Sequence, residues 1–132
     1  MKRTVTEMGK RILLIGEKPD IELFTALQQE GYEVVALESP YKAWGVQFLY
    51  RPHFIVVHLH HPSRKDVAML QDCLALADRV PLIVATSVLG DKALMKDLQR
   101  VATSFVFLPL KPNALREVFD ELESSLNDKW SW

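Results

Sequence analysis

Residues 52–62 read Pro-His-Phe-Ile-Val-Val-His-Leu-His-His-Pro, an apolar run held between two prolines. Pro52 lacks a backbone N–H and biases the residue before it away from helix, so it closes the helix that precedes it. His53-Phe-Ile-Val-Val-His58 then reads as a strand. Its four central residues are apolar without alternation, the pattern of a strand covered on both faces. Similar runs lie on either side: Arg11-Ile-Leu-Leu-Ile15 ending at Gly16, Glu33-Val-Val-Ala-Leu37, Pro81-Leu-Ile-Val-Ala-Thr86 and Ser104-Phe-Val-Phe-Leu108. Each gap between runs holds an amphipathic segment. Ile21, Leu23, Phe24 and Leu27 mark a helix closed by Gly31. Ser39-Pro40 supplies an N-cap and a first-turn proline for a helix through Trp44 and Phe48. Val67, Leu70, Leu74 and Ala77 form a third stripe, and Leu94, Leu98, Val101 and Ala102 a fourth. Leu115, Val118, Phe119, Leu122 and Leu126 form the last.

Five strands alternating with five helices predict an α/β fold: a parallel five-stranded sheet, doubly wound, with helices on both faces. The 132 residues suit one domain, with a core over about 10–126 and tails at 1–9 and 127–132. Periodicity does not give the strand order. In such sheets ligands gather at the carboxyl ends of the strands, which directs attention to Gly16, Glu17, His58, Thr86, Ser87 and Lys111.

Composition narrows the function classes. Hydrophobic residues make up 48% and charged residues 25%, and 16 basic against 17 acidic side chains give a net charge of -1. No basic excess favours nucleic acid or an anionic membrane. Lys2, Arg3, Lys10 and Arg11 read as a solvated tail entering the first strand. The single cysteine, Cys73, excludes an internal disulfide and suits a reducing compartment. Its place on a helical stripe predicts a buried, inert thiol. The absence of a leader-like start or a span-length apolar run makes the cytoplasm the expected location.

Three stretches together resemble the receiver domain of bacterial response regulators, over about residues 10–126. Residues 52–62 are similar to the family's third strand and loop, in which an aspartate stands four residues before a proline. Pro81-Leu-Ile-Val-Ala-Thr-Ser87 is similar to the fourth strand with its hydroxyl residue. Leu108-Pro-Leu-Lys-Pro112 is similar to the Lys-Pro that ends the fifth strand, whose peptide bond is usually cis. The resemblance implies the flavodoxin-like receiver architecture. It also places His58 where the phosphate-accepting aspartate stands, Gly16 and Glu17 at the acidic pair that holds magnesium, and Thr86 and Lys111 at positions that keep their residue types. The aromatic switch position, three before the lysine, falls on Leu108.

Phosphorylation of a receiver needs a carboxylate nucleophile and a hard cation held by oxygen. Imidazole has little affinity for magnesium, and Gly16 removes one acidic ligand. The expectation is a degenerate receiver with weak or absent magnesium binding, no cofactor and no enzymatic activity. The expected pocket is closed, with Lys111 partly buried and salt-bridged to Glu17, shared with His58. One alternative is a pH-sensing His58. Another is a metal pair, His58 and His60, with Glu17 the evident third ligand, and a third is a receiver phosphorylated by an unconventional route. All four histidines lie within residues 53–61; His60 and His61 are expected in an exposed loop.

The family's signalling surfaces, its fourth helix, fifth strand and fifth helix, correspond to 91–102, 104–110 and 113–126. Lys96, Asp97, Arg100, Arg116 and Asp120 are the polar candidates there for contacts with other signalling proteins or for a homodimer. Ser63-Arg64-Lys65-Asp66 reads as a helix cap or an anion site. Glu117, Asp120, Glu121 and Glu123 read as a solvated face. Trp130 and Trp132 are expected to pack back onto the fold.

Overall fold

A computed structural model describes residues 10–16, 21–38, 51–76, 80–87 and 92–130, without the side chains of 73–76 and 125–130. The strands are β1 (Arg11–Ile15), β2 (Glu33–Leu37), β3 (Phe54–Leu59), β4 (Leu82–Thr86) and β5 (Ser104–Phe107). The described helices are α1 (Ile21–Gln29), α2 (Arg64–Leu76), α3 (Lys92–Val101) and α4 (Ala114–Trp130). The helix expected through Trp44 and Phe48 lies outside the described residues, as do Lys2, Arg3, Glu17 and Trp132. So do the side chains of Cys73 and Trp130.

All pairings are parallel and the order is β2-β1-β3-β4-β5. This is the five-stranded parallel sandwich predicted from the sequence. Successive side chains of a strand point to opposite faces, and the core divides accordingly. Leu13, Ile15, Ile55, Val57, Leu82 and Val84 pack with Leu70 of α2 and with Leu94 and Leu98 of α3. Ile12, Leu14, Phe54, Val56, Ile83 and Val106 pack with Leu23 and Leu27 of α1 and with Leu115, Phe119 and Leu122 of α4. Each buried aliphatic side chain contributes about 1.5–3 kcal/mol. On the second face Tyr32, Phe54 and Phe119 form a ring cluster, with Phe54 edge-on to Phe119 at 4.9 Å and to Tyr32 at 5.9 Å.

Local chemistry sets the element ends. The Ser63 N–H and hydroxyl both donate to Asp66 Oδ2 (2.7 and 3.3 Å), and the Asp66 N–H donates to the Ser63 carbonyl. Residues 63–66 are thus a helix cap. The basic and acidic segments expected to be solvated are partly engaged. Lys10 Nζ and the Tyr32 hydroxyl both donate to Glu123 Oε1, at 2.5 and 3.0 Å. Arg11 donates from Nε and Nη2 to the carbonyl of Arg51, at 3.2 and 2.8 Å. Arg51 has a φ of 52°, a left-handed conformation uncommon outside glycine, and the two bonds from Arg11 hold its carbonyl.

At the same edge the backbone N–H of Arg11 donates to His53 Nδ1 at 3.0 Å. The ring nitrogen must be unprotonated to accept. Partial burial, then the charges of Arg11 and Lys10, hold the His53 pKa below its ordinary value, while Glu123 acts in the other direction. The unfolded chain therefore binds more protons near pH 6, and stability rises with pH. The contribution is fully present above the unfolded value of about 6.5 and is lost as pH falls through the lower folded value. His53→Gln, which keeps an acceptor without titrating, is expected to flatten the dependence of urea midpoint on pH between about 5 and 7. Equal slopes in both proteins would show that His53 is not the group responsible.

Candidate functional site

The strand order reverses beside β1, because β2 lies on one side of it and β3 on the other. The crevice at the carboxyl ends of β1 and β3 is the place where a doubly wound sheet holds ligands. Gly16 and His58 form its two walls. Gly16 is buried and its N–H donates to the Leu37 carbonyl at 2.9 Å. A Cβ on Gly16 would lie 3.3 Å from both the Cβ and the carbonyl oxygen of His58, so a side chain here would require β3 to yield by a few tenths of an ångström. The imidazole of His58 is 6% exposed and its Nδ1 is sealed from solvent. Thr86, fully buried, ends β4 beside Leu59, and its carbonyl accepts the N–H of Leu108 at 3.0 Å. Gly16 thus lies against His58 and Thr86 ends the neighbouring strand, while Glu17 lies outside the described residues.

Lys111 lies beyond the end of the fifth strand. β5 ends at Phe107, which pairs with Thr86, and Lys111 sits beyond it with an exposed side chain. Its carbonyl accepts the N–H of Ala114 at 3.1 Å, in the turn that opens α4. The expected partly buried cation is therefore absent from this position. The cis peptide bond is Leu108–Pro109, so the X-Pro that ends the strand is Leu-Pro rather than Lys-Pro. The sequence offers two X-Pro pairs three residues apart. Matching by residue type selects the later pair, and strand pairing selects the earlier one. In this register Leu108, not Lys111, directly follows the strand, and Phe105 stands three residues before it.

His58 and His60 project to the same side, their ring centroids 4.2 Å apart and inclined by 57°. His58 is buried and His60 and His61 are exposed. Among the described residues no group of three or more His, Cys, Asp or Glu side chains is placed to hold a metal ion. The described donors do not fit magnesium: Gly16 has no side chain and His58 offers nitrogen to a cation that prefers oxygen.

The predicted interaction face divides in two. Lys96 and Arg100 are exposed on α3, together with Lys92. Asp97 is held by Arg64 of α2 and faces Arg100 at 3.7 Å. Arg116 and Asp120 lie elsewhere. Arg116 Nε donates to Glu30 Oε1 at 3.3 Å, and both residues line a cavity of about 290 Å³ over Tyr32 and Phe119, between the end of α1 and α4. Their helix phase, about 100° per residue, turns them from β5 toward α1. The sequence reading also missed Phe107. It is 51% exposed on the edge strand β5 and stacked on Phe105, with centroids 6.2 Å apart. The run Ser-Phe-Val-Phe-Leu reads as doubly covered, and only strand order reveals an edge.

No protein-family model matches the chain, and no curated protein matches its sequence. Solved structures are similar in fold. A protein assigned to pilus assembly in Burkholderia pseudomallei aligns with a TM-score of 0.69 at 12% identity, covering 91% of this chain and 93% of its own. The Vibrio cholerae chemotaxis protein CheY4 aligns at 0.68 and 17% identity, covering 85% and 97%. The receiver domain of the sensor histidine kinase PA1611 from Pseudomonas aeruginosa, solved with magnesium in its cleft, aligns at 0.68 and 21% identity, covering 86% and 96%. The chain has the flavodoxin-like fold of receiver domains. None of its described helices is long and apolar enough to cross a membrane.

Proposed function

We propose that this chain is an atypical response-regulator receiver that does not undergo standard aspartyl phosphorylation and acts through protein–protein contacts in bacterial signal transduction, in the cytoplasm. The observation that carries the reading is the imidazole of His58, buried at the carboxyl end of β3 between Gly16 and Thr86. A phosphoryl group there would need a carboxylate to accept it, oxygen ligands for magnesium and a cation to meet its charge. Position 58 offers nitrogen, position 16 offers nothing, and the end of β5 offers Leu108. The output surface is then the one beside β5. Exposed Phe107 supplies an apolar anchor, and Lys92, Lys96 and Arg100 of α3 form a basic margin, a pairing suited to an acidic, apolar partner segment.

Beryllofluoride titrated with magnesium tests the first half of the reading. The backbone amide spectrum is expected to stay unchanged at saturating concentrations of both. A saturable shift that disappears in His58→Ala would overturn the proposal.

A further inference from the structure

We infer that His58 and His60 form a two-histidine chelate for a borderline divalent transition metal, with Cu²⁺ bound more tightly than Ni²⁺ or Zn²⁺ and magnesium not bound there. The inference shares a residue with the proposed function and extends it, because it assigns a ligand to a crevice that no longer suits phosphate.

The argument begins with strand geometry. Residues two apart on an extended chain project to one side, and the chain stays extended enough past Leu59 to bring the two rings together at 4.2 Å. Two imidazoles on one tetrahedral metal, with bonds of about 2.0–2.1 Å, hold their ring centroids about 5 Å apart. The observed separation is within about 1 Å of that, and a small rotation of the exposed His60 closes the difference. The two rings have complementary roles. His58 is fixed by burial, with Nδ1 sealed from solvent, and the proposed ligand atom is Nε2. His60 is exposed, which gives a metal a route in and leaves the remaining coordination positions to water. Imidazole suits copper, nickel and zinc, and affinity for a given nitrogen site rises to copper and falls again at zinc. Gly16 opposite His58 carries no side chain, so among the described residues the end of β1 presents no side-chain oxygen that would favour a harder cation.

Untagged protein titrated with Cu²⁺, Ni²⁺, Zn²⁺ and Mg²⁺ by calorimetry, with the histidine ring signals followed during the Ni²⁺ titration, tests the site. One ion per chain is expected, in the order Cu²⁺ above Ni²⁺ and Zn²⁺. The His58 and His60 signals should broaden while that of His53, at the opposite end of β3, stays sharp. His60→Ala removes an exposed ring without touching the core and is expected to weaken binding at least about tenfold, with His61→Ala unchanged. Full affinity in His60→Ala overturns the proposal. Equal losses in His60→Ala and His61→Ala also overturn it and identify an adventitious surface ion only. The beryllofluoride response is read separately, so failure of the metal site and failure of the receiver reading are distinguishable.

Discussion

Phe54→Ala is expected to destabilise the fold by about 3–5 kcal/mol, the range for emptying a buried aromatic site. Phe54 is 1% exposed and stands where three elements meet. It opens β3, lies edge-on to Phe119 of α4 and touches Tyr32 at the entry to β2. No neighbour relaxes easily into the void. The strand on one side is locked in the ladder with Ile12, and Tyr32 is tied through its hydroxyl to Glu123. Burial, then the charge of Glu123, raises the Tyr32 pKa, so the phenol stays a donor and the cluster holds its geometry at neutral pH. Urea unfolding measures the loss. Ile21→Ala is the reference, since Ile21 is 80% exposed and its truncation should change stability by less than about 0.5 kcal/mol. Similar midpoints for the two variants would show that the ring cluster does not support the sheet.

The second large effect is a gain. Gly16→Asp, His58→Asp and Leu108→Lys together are expected to give saturable magnesium binding and a magnesium-dependent response to beryllofluoride, tightening magnesium by at least about tenfold over the parent chain. The first two substitutions supply oxygen ligands at the carboxyl ends of β1 and β3. The third supplies a cation at the end of β5. The same protein without Leu108→Lys has only Lys111, which is exposed and beyond the strand, and is expected to bind magnesium without responding to beryllofluoride. That contrast tests the register of the fifth strand directly. An equal response in the two proteins would return the lysine role to Lys111. Gly16→Asp carries a packing cost, because its Cβ would sit 3.3 Å from His58 and overfilling a packed site costs about 1–3 kcal/mol. Thermal unfolding of each variant separates that cost from the binding result.

Much of this site was legible in the residues. His58 stands four before Pro62 at the end of an unbroken apolar run, and that spacing alone puts a histidine at a strand end. Gly16 and Thr86 were legible for the same reason. The register of β5 was not, because Leu108-Pro109 and Lys111-Pro112 are both plausible strand endings and a Lys-Pro pair is the stronger match by residue type. Arg116 and Asp120 lie on the expected helix, on the side that faces α1. Arg116's partner, Glu30, is 86 residues away in the chain, and no local pattern encodes such a contact.

The sequence by itself determined the alternation of strands and helices, the burial of the sheet on both faces and the imidazole at position 58. Each follows from short-range rules: side-chain period, turn residues and the stop imposed by proline. Tertiary structure alone decided the order β2-β1-β3-β4-β5, the crevice between β1 and β3, the edge that exposes Phe107 and the meeting of Gly16 with His58. These depend on which strands pair across long loops. That choice is set by how whole faces of apolar surface fit together, a property no window of neighbouring residues carries.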